Sequence, residues 1–247
     1  PAPDESLDGA GGSTTFLQKK KGQRLASDDI LLAATAVGLM PDSECMLDLG
    51  TGKGSVAIMA LSALPKLRAV GVEAFAESFH LAVRNARLNR LQSRFVPMFG
   101  DVRTLSSVLG SKTFNLVTGA PPFMKVGHGI LPQNEQRKYG RFEMRGGIEA
   151  YCSAAATHLD PVNGNCVMLM DANNEARTRA AFQDNSLNLN SITDVAPRPD
   201  EAPIYQIFVG SYTKTPFRSY HIAMRPKVGI HWTDQYNQLR QRIGLVC

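Results

Sequence analysis

Cys45-Met46-Leu47-Asp48-Leu49-Gly50-Thr51-Gly52-Lys53-Gly54 is the stretch whose reading decides the fold. A short apolar run ends in an acid, glycine then takes every second position, and a helix-forming run covers 55–64. That order predicts a strand, a tight glycine turn and a helix. Glycine is needed where the backbone takes positive φ or lies against a ligand. The helix that follows offers free N–H groups to an anionic group. The stretch therefore points to a small ligand lying across the turn. It misses the dinucleotide fingerprint Gly-x-Gly-x-x-Gly by one residue, and the chain has no Gly-x-x-x-x-Gly-Lys-Ser/Thr phosphate loop. A glycine turn alone also serves plain structural purposes in many α/β proteins.

Two further acids narrow the reading. Residues 67–73 read as a second strand ending in Glu73, about twenty residues past the glycines, where a carboxylate can accept both hydroxyls of a ribose. Residues 94–101 read as a third strand ending in Asp101. Either acid alone is equally well a helix cap or a solvated strand end; strand-end acids on three successive strands point to one site. The set resembles the motifs of class I S-adenosylmethionine-dependent methyltransferases. The resemblance implies S-adenosylmethionine as cofactor, held by Asp48, Gly50, Thr51, Gly52 and Gly54. It also implies Glu73 on the ribose, and Asp101 with Val102 at the adenine.

Alternating strands and helices carry the rest of the chain. Helices are expected over 76–89, 104–109, 148–158, 175–182 and 232–243, and strands over 114–119, 166–171, 191–196 and 204–212. The last two strands should pair antiparallel. Crossovers of this kind require a mostly parallel sheet with helices on both faces. The expected fold class is α/β, a Rossmann-like class I methyltransferase fold with a mostly parallel seven-stranded sheet and an antiparallel last strand. The expected organisation is a mobile arm over 1–15, a hairpin about Gly22 and a helix starting at Ser27 over 16–44, a methyltransferase domain over 45–224 and a helical extension over 225–247.

Composition sets outer limits. A chain of 247 residues with 43% hydrophobic content can bury a large core. No apolar run is long enough for a membrane span, so no membrane partner is expected. The net charge of +5 permits a nucleic-acid partner without demanding one. Cys45, Cys152, Cys166 and Cys247 form no Cys-x-x-Cys, which suggests thiols in an intracellular reducing compartment, cytoplasmic or, as the alternative, mitochondrial. The five histidines are scattered, so no metal is expected.

Gly119-Ala120-Pro121-Pro122-Phe123 follows the fourth strand and should face the glycine turn across the ligand. The prolines fix the backbone and leave carbonyls free to accept. Phe123 offers a face for stacking a base, or equally a core contact at a rigid corner. The loop resembles the Asn/Asp/Ser-Pro-Pro-Tyr/Phe motif of amino-methyltransferases, which act on nucleic-acid bases or on glutamine. Gln18-Lys19-x-x-Gly22-x-Arg24-x-x-x-Asp28-x-x-Leu31-Leu32 is similar to the N-terminal part of the bacterial tRNA adenine amino-methyltransferase-like family, and the arginine-bearing segment 137–151 is similar in placement. The resemblance implies Ala120, Pro121, Pro122 and Phe123 as the catalytic loop. It implies Gln18, Lys20, Arg24, Asp28, Arg141 and Arg145 on the substrate side. The implied partner is tRNA or rRNA.

One departure bears on catalysis. Ala120 stands where the family carries Asn, and a methyl side chain cannot accept an amine hydrogen. Losing such a bond costs about 1–3 kcal/mol when the donor stays unpaired. Three readings stay open: an RNA-base methyltransferase, a catalytically weak binding or assembly module on an RNA–protein particle, and a methyltransferase of proteins or small molecules. The long polar segment 124–147 is expected to close over the substrate, with His128 an ordinary loop residue.

Overall fold

In the computed structural model, which describes residues 1–12 and 14–245, every apolar run around the glycine turn becomes the element expected of it. The chain opens with β1 (Glu5–Gly11) and β2 (Thr14–Lys19), then α1 (Ser27–Leu39). Strand and helix alternate through β3 (Cys45–Leu49), α2 (Ser55–Ala63), β4 (Arg68–Glu73), α3 (Ala76–Leu88) and β5 (Phe95–Phe99). A 3-10 turn and α4 (Ser106–Leu109) lead to β6 (Leu116–Gly119). Next come α5 (Glu135–Arg141), α6 (Ile148–His158), β7 (Asn165–Asp171) and α7 (Glu175–Asp184). The chain closes with β8 (Asn188–Ala196), β9 (Tyr205–Ser211), β10 (Arg218–Ala223) and α8 (Asp234–Arg242).

The main sheet has eight strands in the order β10-β8-β9-β7-β6-β3-β4-β5. Only β9 runs against its neighbours, β7 and β8. The extra strand beyond the seven expected is β10, parallel to β8 at the sheet edge. Burial within it is confined to Ile222 and Ala223, so no apolar run announced it. From β3 the chain steps outward to β4 and β5, then returns to β6 on the other side. The crevice between β3 and β6 is therefore the switch point, where open α/β sheets bind ligands at the strand carboxyl ends.

Two apolar layers hold the sheet. One joins Leu31, Leu32 and Ala36 of α1 and Ile58 and Leu61 of α2 to Tyr236 and Leu239 of α8. The other joins Ile148, Tyr151 and Cys152 of α6 to Phe182 of α7 and the opposite strand face. Because β3 is covered on both sides, it reads as continuous apolar sequence rather than alternation. Cys45, Cys152 and Cys166 are free thiols, the last two buried, while Cys247 lies outside the described residues. Among the described residues no helix is long and apolar enough to cross a membrane.

The N-terminal residues are a correction. Residues 1–15, expected as a mobile arm, supply β1 and the start of β2, and the hairpin lies ahead of Gly22 rather than about it. The anchors are polar, which is why apolar patterning missed them. Asn85 of α3 accepts the Leu17 amide at 2.7 Å and donates to the Leu17 carbonyl at 3.1 Å. Asn89 does the same for Thr15. Glu5 takes a forked pair of hydrogen bonds from Arg84, which holds its carboxyl down at about 2. Two asparagines one helical turn apart thus pair a strand edge that would otherwise face water unpaired.

Candidate active site

A cavity of about 660 Å³ opens at the carboxyl ends of β3, β4, β6 and β7. Its floor is the glycine turn, where Gly50, Gly52 and Gly54 have φ of +64°, +59° and +85°. The three glycines do different work. A Cβ on Gly50 would collide with the Tyr151 hydroxyl, and one on Gly119 would stand 2.9 Å from the Tyr151 ring. The ring of Tyr151, from the first turn of α6, therefore fills the crevice between β3 and β6. A Cβ on Gly54 would stand 2.8 Å from the Phe95 ring, so Gly54 serves helix–strand contact and does not line the cavity. A Cβ on Gly52 would meet open space.

Asp48, Glu73 and Asp101 all line this one cavity, but they differ in what they have left to offer. Asp48 is buried, and its oxygens accept the hydroxyls of Thr51 and Thr118 at 2.6 Å each. It braces the turn, and burial pushes its carboxyl up to about 6. Glu73 accepts the Gly52 amide at 2.8 Å and the Phe75 amide at 2.6 Å, one on each oxygen. A carboxylate has about four acceptor positions, and with the Ala74 amide also acting on it Glu73 keeps room for a further donor. Burial raises the pKa of Glu73 also. Asp101 sits two residues past β5 at the rim, where Arg103 donates to both oxygens at 2.9 and 2.7 Å and lowers its pKa. Val102 lines the cavity beside it.

The opposite wall is the proline loop. Ala120, Pro121, Pro122 and Phe123 all line the cavity. Phe123 packs on Tyr205 with ring centroids 5.9 Å apart, and its carbonyl accepts Asn174 at 3.3 Å. Asp28 lines the same wall from the first turn of α1, and burial raises its carboxyl to about 6. Beside it Asp29 accepts Ser55 at 2.6 Å and pairs with the buried Lys53 at 3.7 Å.

Segment 124–147 folds down over the cavity and is fastened there. Gln136 of α5 accepts the Gln23 amide at 2.9 Å and donates to Ser78 at 3.0 Å. Arg137 donates to the Gly22 carbonyl. Tyr139 stacks on Phe75 at 5.2 Å, and Arg145 lies over Tyr139 at 4.7 Å while donating to the Ala74 carbonyl. Arg24, Arg141 and Arg145 line the cavity with Asp28; Gln18 and Lys20 do not. Gln18 is buried and spans the hairpin, donating to Asp8 and accepting the Leu25 amide. Lys20 donates to the Pro3 carbonyl. These two are corrections to the substrate set implied by the resemblance, since the turn after β2 aims them at the N-terminal strand.

Sequence reasoning missed Phe75, Tyr139, Tyr151, Tyr205 and Lys53, all of which line the cavity. Phe75 carried a signal, two residues past a strand-end acid. Tyr151 and Tyr205 carried none, because aromatic residues in apolar elements read first as core.

The cavity suits a nucleoside with a positive centre. Glu73 keeps acceptor capacity beside an uncovered Gly52, as a ribose hydroxyl requires. Burial raises Asp48 and Glu73 above their usual range, with the charges of Asp29 and Glu73 adding to the rise at Asp48, and a cation beside them would relieve that cost. Fold and site together define a class I S-adenosylmethionine-dependent methyltransferase. Residues 29–132 of the chain match the model described as the methyltransferase small domain. A tRNA1(Val) (adenine(37)-N6)-methyltransferase from Porphyromonas gingivalis is 28% identical over 73% of this chain and 71% of its own length. A release factor glutamine methyltransferase from Caulobacter vibrioides is 35% identical over 32% of this chain and 26% of its own. Among solved structures, a predicted O-methyltransferase from Agrobacterium tumefaciens shares the fold with a TM-score of 0.68 at 17% identity, covering 89% of this chain and 98% of that one.

Proposed function

We propose that this chain methylates an exocyclic amine on a base of tRNA or rRNA, taken into the cavity unstacked from its neighbours. The observation that carries the reading is the layout of charge. The buried Asp48 and the largely buried Glu73 lie inside the cavity, and the exposed Arg24, Arg137 and Arg141 line its outer part. A polyanion held at the mouth can lower one uncharged base past the Phe123–Tyr205 ring pair while its phosphates stay outside. The relative that aligns over most of this chain acts on a tRNA adenine, which supports RNA over polypeptide.

Asp48, through Thr51, and Glu73, through Gly52, would hold the turn that cradles the cofactor. Once bound, S-adenosylmethionine supplies a methyl group already activated on sulfur. The protein's share is alignment of the acceptor nitrogen, which alone can provide most of the acceleration. Pro121 lines the cavity and would offer its carbonyl to one amine hydrogen, whereas the methyl side chain of Ala120 has no atom to accept the other. Ala120 also favours a second reading, a weakly catalytic module that binds RNA within an RNA–protein particle.

The test is transfer of label from methyl-tritiated S-adenosylmethionine in a cell lysate, followed by nuclease or protease. Label lost to nuclease supports RNA-base methylation. Label lost only to protease overturns it, and cofactor binding without transfer favours the second reading.

A further inference from the structure

We propose that the Asp28 carboxylate is the hydrogen-bond acceptor that positions the target amine, doing the work that the methyl side chain of Ala120 cannot. The inference rests on the base-methylation reading above. Among the described residues Asp28 Oδ1 is sealed from solvent and has no hydrogen-bond partner. Such an oxygen is costly to bury unless a ligand supplies the missing donor. Asp28 and Ala120 line the same cavity.

The carboxylates of the cavity fall into two groups according to the tyrosine whose ionisation each one opposes. Glu73, Asp48 and Asp101 act on Tyr151, on the glycine-turn side. Asp28, Asp171 and Asp29 act on Tyr205, whose ring packs on Phe123 of the proline loop. Asp28 therefore stands on the acceptor side. Its two neighbours there are committed. Asp171 Oδ1 already accepts the backbone and side-chain N–H of Asn173. Asp29 is held by Ser55, by the Ala26 amide and by Lys53. Asp28 alone of the three has a buried carboxylate oxygen without a hydrogen-bond partner.

An exocyclic amine brings two N–H groups. One can donate to the Pro121 carbonyl and the other to Asp28 Oδ1, which turns the nitrogen lone pair toward the methyl source. An ionised carboxylate only accepts. It therefore selects a base that presents N–H at this point and rejects one that presents a carbonyl oxygen. On this account Ala120 marks a relocated acceptor, from the strand-end loop to the first turn of α1.

The experiment uses the full chain, methyl-tritiated S-adenosylmethionine and total RNA, tRNA and rRNA together, as acceptor, with S-adenosylhomocysteine binding measured by calorimetry. Asp28→Ala is expected to lower turnover roughly a hundredfold while S-adenosylhomocysteine affinity changes by less than about threefold. Ala120→Asn placed in the Asp28→Ala background is expected to regain about tenfold or more. A loss of S-adenosylhomocysteine affinity as large as the loss of turnover, or no recovery with Ala120→Asn, overturns the proposal. Unchanged turnover in Asp28→Ala overturns it alone and leaves the RNA reading standing. No transfer to RNA by the parent protein overturns both.

Discussion

The ring of Tyr151 occupies the space that a side chain at Gly50 would need, with its hydroxyl where the Gly50 Cβ would stand. A residue on α6 thereby dictates the residue on the glycine turn, about 100 positions earlier in the chain. Gly50→Ala should destabilise the fold by about 2–4 kcal/mol, combining left-handed backbone strain with overpacking. Tyr151→Ala costs its own cavity energy. The double variant should lose less than the sum by about 1 kcal/mol or more, because removing the ring removes the collision. Urea unfolding of the four proteins measures this coupling, and strict additivity would show that the ring does not press on Gly50.

Gly52 and Gly54 share positive φ but should respond differently to the same substitution. A Cβ at Gly54 presses on the Phe95 ring at 2.8 Å, so Gly54→Ala should lower stability by about 2–4 kcal/mol. The Gly52 Cβ would meet only the cavity. Gly52→Ala should cost about 1–2 kcal/mol of stability from backbone strain. It should weaken S-adenosylhomocysteine binding far more than Gly54→Ala does at a temperature where both are folded. Thermal unfolding and calorimetry on the two proteins separate the effects.

What could be read in the sequence followed from local chemistry. The strand, turn and helix around Gly50, and the acids Glu73 and Asp101, announce themselves by short-range pattern, and the structure places all of them on one cavity. What could not be read depends on contacts distant in sequence. The β1–β2 hairpin is anchored by Asn85, Asn89 and Arg84, polar residues whose partners lie about 70–80 positions away. β10 buries only its last two residues. Tyr151 and Tyr205 look like core until the switch point is assembled. Even Asp48, legible as a site residue, turns out to brace the turn through Thr118, a partner the glycine pattern gives no hint of.

Buried acids give the apo protein a definite pH response. Asp48 titrates near 6 in the folded protein, above its ordinary value of 3.8, so the native state holds a proton that the unfolded chain has released. Its stabilising share is present below about pH 4 and lost as pH rises through 6, a difference of about 3 kcal/mol. Asp28 and Glu73 shift in the same direction. Glu5 shifts the opposite way, held down by Arg84, and its share is lost as pH falls from its ordinary 4.5 toward 2. Stability should therefore peak near pH 5 and decline toward pH 7.5. Asp48→Asn, whose amide can still engage both threonine hydroxyls, should flatten that decline and make the apo protein more stable than the parent at pH 7.5. Thermal unfolding across the range checks it, and a parent protein most stable at pH 8 would contradict the assignment.

Two arginines on the cavity wall should separate RNA binding from cofactor binding. Arg141 lines the mouth at the end of α5, whereas Arg145 reaches inward, donating to the Ala74 carbonyl next to Glu73 and covering Tyr139. If Arg141 meets a phosphate, Arg141→Ala should weaken RNA binding at every sequence tested and lower the slope of log affinity against log salt by roughly one. S-adenosylhomocysteine affinity should stay unchanged in that variant. Arg145→Ala should do the reverse, because it frees the Phe75–Tyr139 stack beside Glu73. It should lower S-adenosylhomocysteine affinity by about tenfold and leave the salt slope alone. Filter binding of tRNA across a salt series, paired with calorimetry, reads both effects on the same samples. A salt slope insensitive to Arg141→Ala, with transfer intact, would move the phosphate contact to Arg24 or Arg137, and a slope insensitive to all three would argue for a substrate other than RNA.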